Sequence, residues 1–508
     1  MTKLRFRNFR NRVFVTTTPD MASSSSDSNR IDAYVWRISA VVVLGSIMSI
    51  LDTTIVNVAL DTLSRDLHAT LDNIQWIATG YLLALAAVIP VTGWAARRFG
   101  AKPVYLTSLI LFTLGSALCG LATSTTELVV FRVLQGVGGG MILPVGQLMM
   151  AEAAGPKRMG RVMSVVAVPA MLAPILGPTI GGLILDNVSW RWIFYVNVPI
   201  GIIAVIAALR ILPKVDRKPT EALDYKGLAM MATGLPLITY GLAEVGSTGS
   251  FTAFKVLGPL IGGLALVASF AFYALRAKRP LLNLRLFARP TFSTASIAMF
   301  CIGAALFGGM ILLPLYWQTI RHEDVVITGL LTGPQGIGAA LAMPLSGKLT
   351  DRFGGGPIAL IGVIICAAAT IPFALIGAHT SIVFLCLAML VRGVGIGFAF
   401  MPAMTAAFAS LERHELSDAT PQLNVLQRVG GSIGIAVLSV VLTRQLADAH
   451  TLAAGAAAYG AAFWWATGLT ALAIIPCIIL VRSERAARRA HAATAKVPEE
   501  ALAEAMAA

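Results

Sequence analysis

Asp52 and Arg132 are charged residues set in stretches otherwise almost free of charge, the runs 36–59 and 127–150. A carboxylate and a guanidinium with apolar neighbours can do work that they do not do in water. Desolvation raises an aspartic acid above its ordinary pKa of about 3.9 and a facing arginine lowers it, so alternating between the two surroundings couples proton uptake to a change of shape. That makes Asp52 a candidate proton carrier and Arg132 its candidate partner, with Gln135, one turn on from Arg132, a second group within reach. The rival reading is an interfacial acid or a structural ion pair with a snorkelling arginine. Other chemistry has less to stand on. The five cysteines (119, 301, 366, 386, 477) lie in apolar runs, and the six histidines lie in polar connections or tails. Neither set has disulfide or metal-ligand spacing, so no metal site is expected.

The elements that must hold these groups follow from composition. The chain has 508 residues, 57% of them apolar and 13% charged, against about 25% charged in soluble domains. Mean hydropathy is +0.78. A bilayer core of about 30 Å takes roughly 20 helical residues. Runs of that length fall at 36–59, 74–95, 103–123, 127–150, 162–184, 193–212, 227–247, 256–275, 292–314, 327–346, 357–377, 381–407, 422–445 and 459–481, which makes fourteen expected spans. With both termini in the cytoplasm, 31 Lys/Arg fall inside, five outside and three (Arg132, Arg392, Arg428) within spans. This asymmetry orients the chain by the positive-inside rule and turns the net charge of +14 into a topological feature, not a nucleic-acid footprint. On this reading Asp52 lies about 21 Å into span 1 and Arg132 about 8 Å into span 4 from the outer edge, at similar depth. A charge held there costs about 2.5–3.5 kcal/mol on insertion scales and needs a reason.

The sequence repeats. Gly93 to Gly100, with Arg97 and Arg98, is echoed by Gly347 to Gly354, with Asp351 and Arg352, at an offset of 254; Arg132 to Gly138 is echoed by Arg392 to Gly397 at 260. Two six-helix halves (36–212 and 290–481) are therefore expected, with spans 7 and 8 and their linkers (213–289) inserted between them. Residues 1–35 read as a disordered cytoplasmic tail and 482–508 as a basic cytoplasmic tail. The glycines beside Arg132 and Arg392 follow no strand, which excludes a phosphate loop and leaves close helix packing.

In span 5, Pro174, Gly177, Pro178, Gly181 and Gly182 combine small-xxx-small packing with a lost backbone donor. This string resembles the antiporter motif of the major facilitator superfamily. Leu51 to Ala59 resembles the acidic motif of its 14-span EmrB/QacA-type drug:proton antiporters, and Ser189 to Pro199 is similar to a further motif of that group. The resemblance implies an all-α major facilitator fold with spans 1 and 4 in proximity. It also implies no cofactor beyond the proton gradient, and a small amphipathic cargo, cationic or neutral, with a periplasmic adaptor protein as a partner in a double-membrane cell. The loop motif departs from the family in carrying Arg97 where an acid is usual, so a conformational role is expected at Asp351 more than in the first copy.

Asn57, Gln135, Tyr316, Gln318 and Asn424 are the leading candidates for the cavity wall, while Arg392 and Arg428 read as structural or as part of the second-half wall. The expectation is a plasma-membrane transporter exporting amphipathic drugs or toxic compounds in exchange for protons. Its rivals are a proton-coupled transporter of one metabolite and an integral-membrane enzyme; no paired-acid or histidine-rich motif favours the enzyme.

Overall fold

The computed structural model describes residues 32–155, 158–213 and 222–489, and these contain helices and no strand. Most of the expected tails, 1–31 and 490–508, lie outside the described residues. The first half comprises α1 (Ala33–Asp66), α2 (Leu71–Val88), α3 (Thr92–Phe99), α4 (Ala101–Leu121), α5 (Thr125–Ala154), α6 (Met159–Asn187), the short α7 (Trp192–Tyr195) and α8 (Asn197–Ile211). Between the halves come α9 (Tyr225–Thr248) and α10 (Phe254–Arg276). The second half comprises α11 (Pro290–Thr319), α12 (Val325–Phe353), α13 (Gly355–Ala374), α14 (Ile382–Ala409), α15 (Leu416–Ala447) and α16 (Leu452–Leu472), with 474–489 also helical.

Thirteen helical stretches among the described residues are long and apolar enough to cross a membrane. The expected span 162–184 is covered by the continuous α6. Several helices outrun the expected spans, and polar caps mark some of the earlier starts. Ser124 accepts the Glu127 N–H ahead of α5 at 3.3 Å, and Asp324 accepts the Ile327 N–H ahead of α12 at 2.7 Å. The expected boundary at 36 moves to Ala33, with Asp32 as N-cap. The two loop motifs share one local geometry. Gly100 (φ 90°) ends α3 and Gly354 (φ 98°) ends α12, each in a positive-φ conformation that a side chain would strain.

The halves meet along α6 and α12. A Cβ on Gly347 would stand 2.8 Å from the Gly160 carbonyl at one end of this contact, and one on Gly182 would stand 2.8 Å from Val326 Cγ2 at the other. On another side α9 packs against α2 and α15 together, with Trp76 stacked on Tyr240 at 5.7 Å. The inserted pair therefore bridges the two halves and is anchored to both. Asp224 ties it at one end, accepting from the Gly227 N–H, the Tyr273 hydroxyl and the Leu281 N–H at 2.9–3.0 Å. Large apolar side chains such as Ile261, Leu264, Leu341 and Val383 stand exposed on the outside, as lipid-facing helices require.

The stacking of the halves corrects one register. A Cβ on Gly138 would lie 2.6 Å from the Phe112 nitrogen, and one on Gly395 2.6 Å from the Cys366 nitrogen; Gly136 likewise abuts the Tyr81 carbonyl and Gly393 that of Gln335. Phe112 to Cys366 and Tyr81 to Gln335 are both steps of 254, so α5 and α14 correspond at 257. Arg392 therefore stands at the station of Gln135, not of Arg132, because glycine contacts set the helix register and the shared arginine does not.

Candidate functional site

α1, α5 and α8 each bring polar groups to one buried point. Asp52 is 0% exposed and Arg132 1%. Arg132 Nη1 donates to Asp52 Oδ2 at 2.5 Å and to Gln135 Oε1 at 2.7 Å, and its Nε donates to the Ile77 carbonyl at 3.2 Å. Gln135 Nε2 donates to Asp52 Oδ1 at 2.9 Å, and Asn197 Nδ2 donates to the same oxygen at 3.1 Å. The Arg132 guanidinium also lies over the Tyr81 ring, 4.1 Å from its centroid. Three donors, one of them a guanidinium, converge on the two carboxylate oxygens and leave one of their roughly four lone-pair sites open.

Asn197 is the member that the sequence reading missed as a ligand. Its position, opening α8 directly after a motif string, was visible, but its contact with an acid 145 residues away depends on tertiary register.

The span 5 motif packs against the same helix as the acid. A Cβ on Gly177 would collide with Thr54, two residues beyond Asp52, and Thr54 Oγ1 donates to the Ala173 carbonyl at 3.3 Å. Gly181 faces Ile55, Gly182 faces Val326 of the other half, and Pro178 is half-buried. The side chain of Pro174 lies outside the described residues.

At the loop motifs, Asp351 accepts the Gly160 N–H at 2.8 Å and Arg161 Nε at 2.7 Å, so it caps the start of α6 from the opposite half. The first copy forms a bridge as well. Arg97 pairs with Asp418 and donates to Ser417 Oγ at 3.2 Å, while Gly93 packs against the Ser417 carbonyl. The expectation put a conformational role at Asp351 more than in the first copy; the first copy nevertheless forms a bridge between the halves, with its charges reversed. Arg352 lies beside the Phe353 ring, and Arg98 makes contacts at the end of the same α3 turn.

The cavity candidates do not converge. Only Gln135 joins the acid cluster. Asn424 Nδ2 donates to Gln147 Oε1 at 2.8 Å, a bond between halves. Tyr316 is a packed core residue whose hydroxyl donates to the Gly377 carbonyl at 2.7 Å, and Asn57 and Gln318 are exposed. A cavity of about 70 Å³ lies elsewhere, where α6 meets α11, α12 and α14. Polar type alone does not tell which face of a helix a residue occupies.

The Major Facilitator Superfamily model matches residues 42–435. The chain belongs to that superfamily. It is 39% identical over 428 residues, 84% of this chain and 79% of the relative, to the "Multidrug resistance protein B homolog" of Mycobacterium tuberculosis. It is 29% identical over 411 residues, 80% of each, to the "Multidrug export protein EmrB" of Haemophilus influenzae. Among solved structures it resembles the human organic anion transporter MFSD10 (TM-score 0.61, 16% identity, 88% of this chain and 99% of that one) and the proton:xylose symporter XylE (TM-score 0.59, 15% identity, 88% and 95%). At those identities the structures show a shared fold. This superfamily member is a multi-pass plasma-membrane transporter, and its relatives are transporters, not enzymes.

Proposed function

We propose that this transporter exports amphipathic small molecules in exchange for protons by alternating access, with Asp52 as the proton-binding group. The observation that carries the reading is the buried carboxylate with three donors. Ionised, Asp52 ties α1 to α5 and α8 through Arg132, Gln135 and Asn197. Protonated, it loses its attraction for Arg132, and α1 is free to move against α5. Thr54, two residues along, seats Gly177, so movement of α1 reaches α6 and through it the α6–α12 seam. The Arg161–Asp351 bridge ties one end of that seam, the Arg97–Asp418 bridge ties α3 to α15 across the halves, and both must part when the halves open. Each proton entering down a 100 mV potential supplies about 2.3 kcal/mol. The relatives named for multidrug resistance and export support an exported drug-like cargo.

The test is Asp52→Asn in everted membrane vesicles, with dye efflux and proton movement read together. The expected result is loss of proton-driven efflux with the protein still in the membrane. Efflux at the unmodified rate with normal expression would overturn the mechanism.

A further inference from the structure

The second half contains a buried cation that the Asp52 cluster does not use. Arg392 on α14 is 1% exposed. It donates through Nη1 to Gln335 Oε1 at 2.6 Å and leaves its Nε with no acceptor, and among the described residues no carboxylate pairs with it. In the corrected register it stands where Gln135 stands, and Gln135 faces Asp52. The residue whose missing side chain makes room for the Arg392 guanidinium is Gly309, where a Cβ would collide with Nη2. The first half thus supplies an acid to its buried base, whereas among the described residues no acid pairs with the buried base of the second half.

Gly309 and Gln335 lie against the Arg392 guanidinium, as does the Cys366 thiol, and the first two line the 70 Å³ cavity, together with Met171, Leu306, Met310 and Met389. Met171 comes from α6, so the cavity sits where the halves join. Its size suits the head of a ligand; a whole drug-sized molecule needs several times more room. A guanidinium held out of water needs a counter-charge, and methionines make an adaptable apolar wall.

We propose that the counter-charge is the cargo: this cavity is a subsite for the carboxylate of an amphipathic organic acid. Arg392 is the ion-pair partner of that carboxylate, Gln335 offers it the amide Nε2, and the methionines take its adjoining apolar body. The proposal rests on the transport reading above and narrows its cargo from cationic or neutral compounds to organic acids.

The test is equilibrium binding to the full chain in lipid nanodiscs, read by energy transfer from tryptophan to pyrene with protein-free discs subtracted. The probes are pyrenebutyrate and its uncharged analogue pyrenebutanol. The unmodified protein should prefer the carboxylate by about tenfold, a difference of about 1.4 kcal/mol. Arg392→Lys should keep most of that preference and Arg392→Gln should lose it. Gln335→Glu is the deciding variant: it gives Arg392 an internal carboxylate at an atom it already holds, which a purely structural arginine would tolerate, and the proposal requires it to abolish the preference. Three outcomes would overturn the proposal: no preference in the unmodified protein, an unchanged preference in Gln335→Glu, or displacement of pyrenebutyrate by sodium chloride as readily as by dodecanoate, which would make the site one for inorganic anions. The measurement needs no proton gradient, so its failure leaves proton exchange at Asp52 standing, and failure of the Asp52 experiment leaves the binding result standing.

Discussion

The two halves treat buried polar charge in opposite ways. In the first, Arg132 is neutralised by Asp52 and flanked by Gln135 and the Tyr81 ring, and Asn197 donates to the same Asp52. In the second, Arg392 has the Gln335 amide oxygen, the Cys366 thiol and an orphaned Nε, and Gln335 also lines a cavity. Glycine contacts show that the backbones around these stations are built alike, since a Cβ on Gly138 or on Gly395 would meet a neighbouring backbone nitrogen at the same 2.6 Å. Duplication therefore preserved the packing and let the charges diverge. A closed charge cluster suits a group that must open on protonation, whereas an open one suits a group that waits for an ion from outside.

The largest expected effect comes from removing each half's own charge. Asp52→Ala strands Arg132 in the interior, and breaking one side of a buried pair costs about 3–5 kcal/mol. Arg392→Met removes a charge with no acid partner and should be neutral or stabilising by roughly 1–4 kcal/mol. Denaturant unfolding in detergent without ligand compares the two directly. Equal destabilisation by both would mean that Arg392 has its full counter-charge within the protein, and the contrast between the halves would fail.

The next effect sharpens the comparison through packing. Gly393→Ala drives a methyl into the Gln335 carbonyl and must push α14 from α12, at about 1–3 kcal/mol for overpacking. Because Arg392 is the preceding residue, pyrenebutyrate binding should weaken with stability. Tyr81→Leu in the first half removes the ring from the Arg132 guanidinium and should cost about 0.5–2 kcal/mol in the same unfolding measurement. Gln335 stands at the station of Tyr81 and offers Arg392 no ring, so Gln335→Leu should leave a different mark, lost carboxylate preference with less lost stability.

Much of the first-half site was legible in the sequence, because an acid and a base in apolar runs are costly and therefore conspicuous. Asp52 and Arg132 stand out on that ground, Gln135 by its place one turn from Arg132, and the structure brings the three together. Asn197 escaped because amides in spans are common and nothing local marks which one meets an acid. The second half was misread for a related reason. Aligning Arg132 with Arg392 matched like residues, whereas the register is set by Gly136 and Gly138 against α2 and α4. A shift of three residues turned a substituted station into an apparent copy and hid the absence of an acid. Tyr316, a candidate for the cavity wall, instead uses its hydroxyl to satisfy the Gly377 carbonyl inside a packed aromatic cluster. The fold was easier to read than the faces of its helices, because span length and charge asymmetry are one-dimensional quantities and facing is not.

The smallest expected effect tests the reversal of charge at the loop motifs. Both bridges place the base on the first half and the acid on the second: Arg97 with Asp418, and Arg161 with Asp351. If the bridges act only as attractions between halves, polarity is irrelevant to the Arg97–Asp418 contact, and the swapped pair Arg97→Asp with Asp418→Arg should recover what either single change loses. Both side chains keep partial contact with solvent, at 29% and 20% exposure, so the coupling in a double-mutant cycle should be about 0.2–1 kcal/mol. Asp351 has less freedom, because its Oδ1 also accepts the Gly160 N–H at the start of α6. Exchanging Asp351 and Arg161 would aim a cation at that helix N-terminus and leave its N–H without an acceptor, so this swap should not recover. Rescue at the first bridge and failure at the second, both read as thermal stability, would show the loop bridges to be unequal in the same sense as the buried arginines: similar backbone stations, with only one of each pair tied to a chemistry that polarity decides. Rescue at both would reduce them to interchangeable ion pairs and confine the divergence of the halves to the membrane interior.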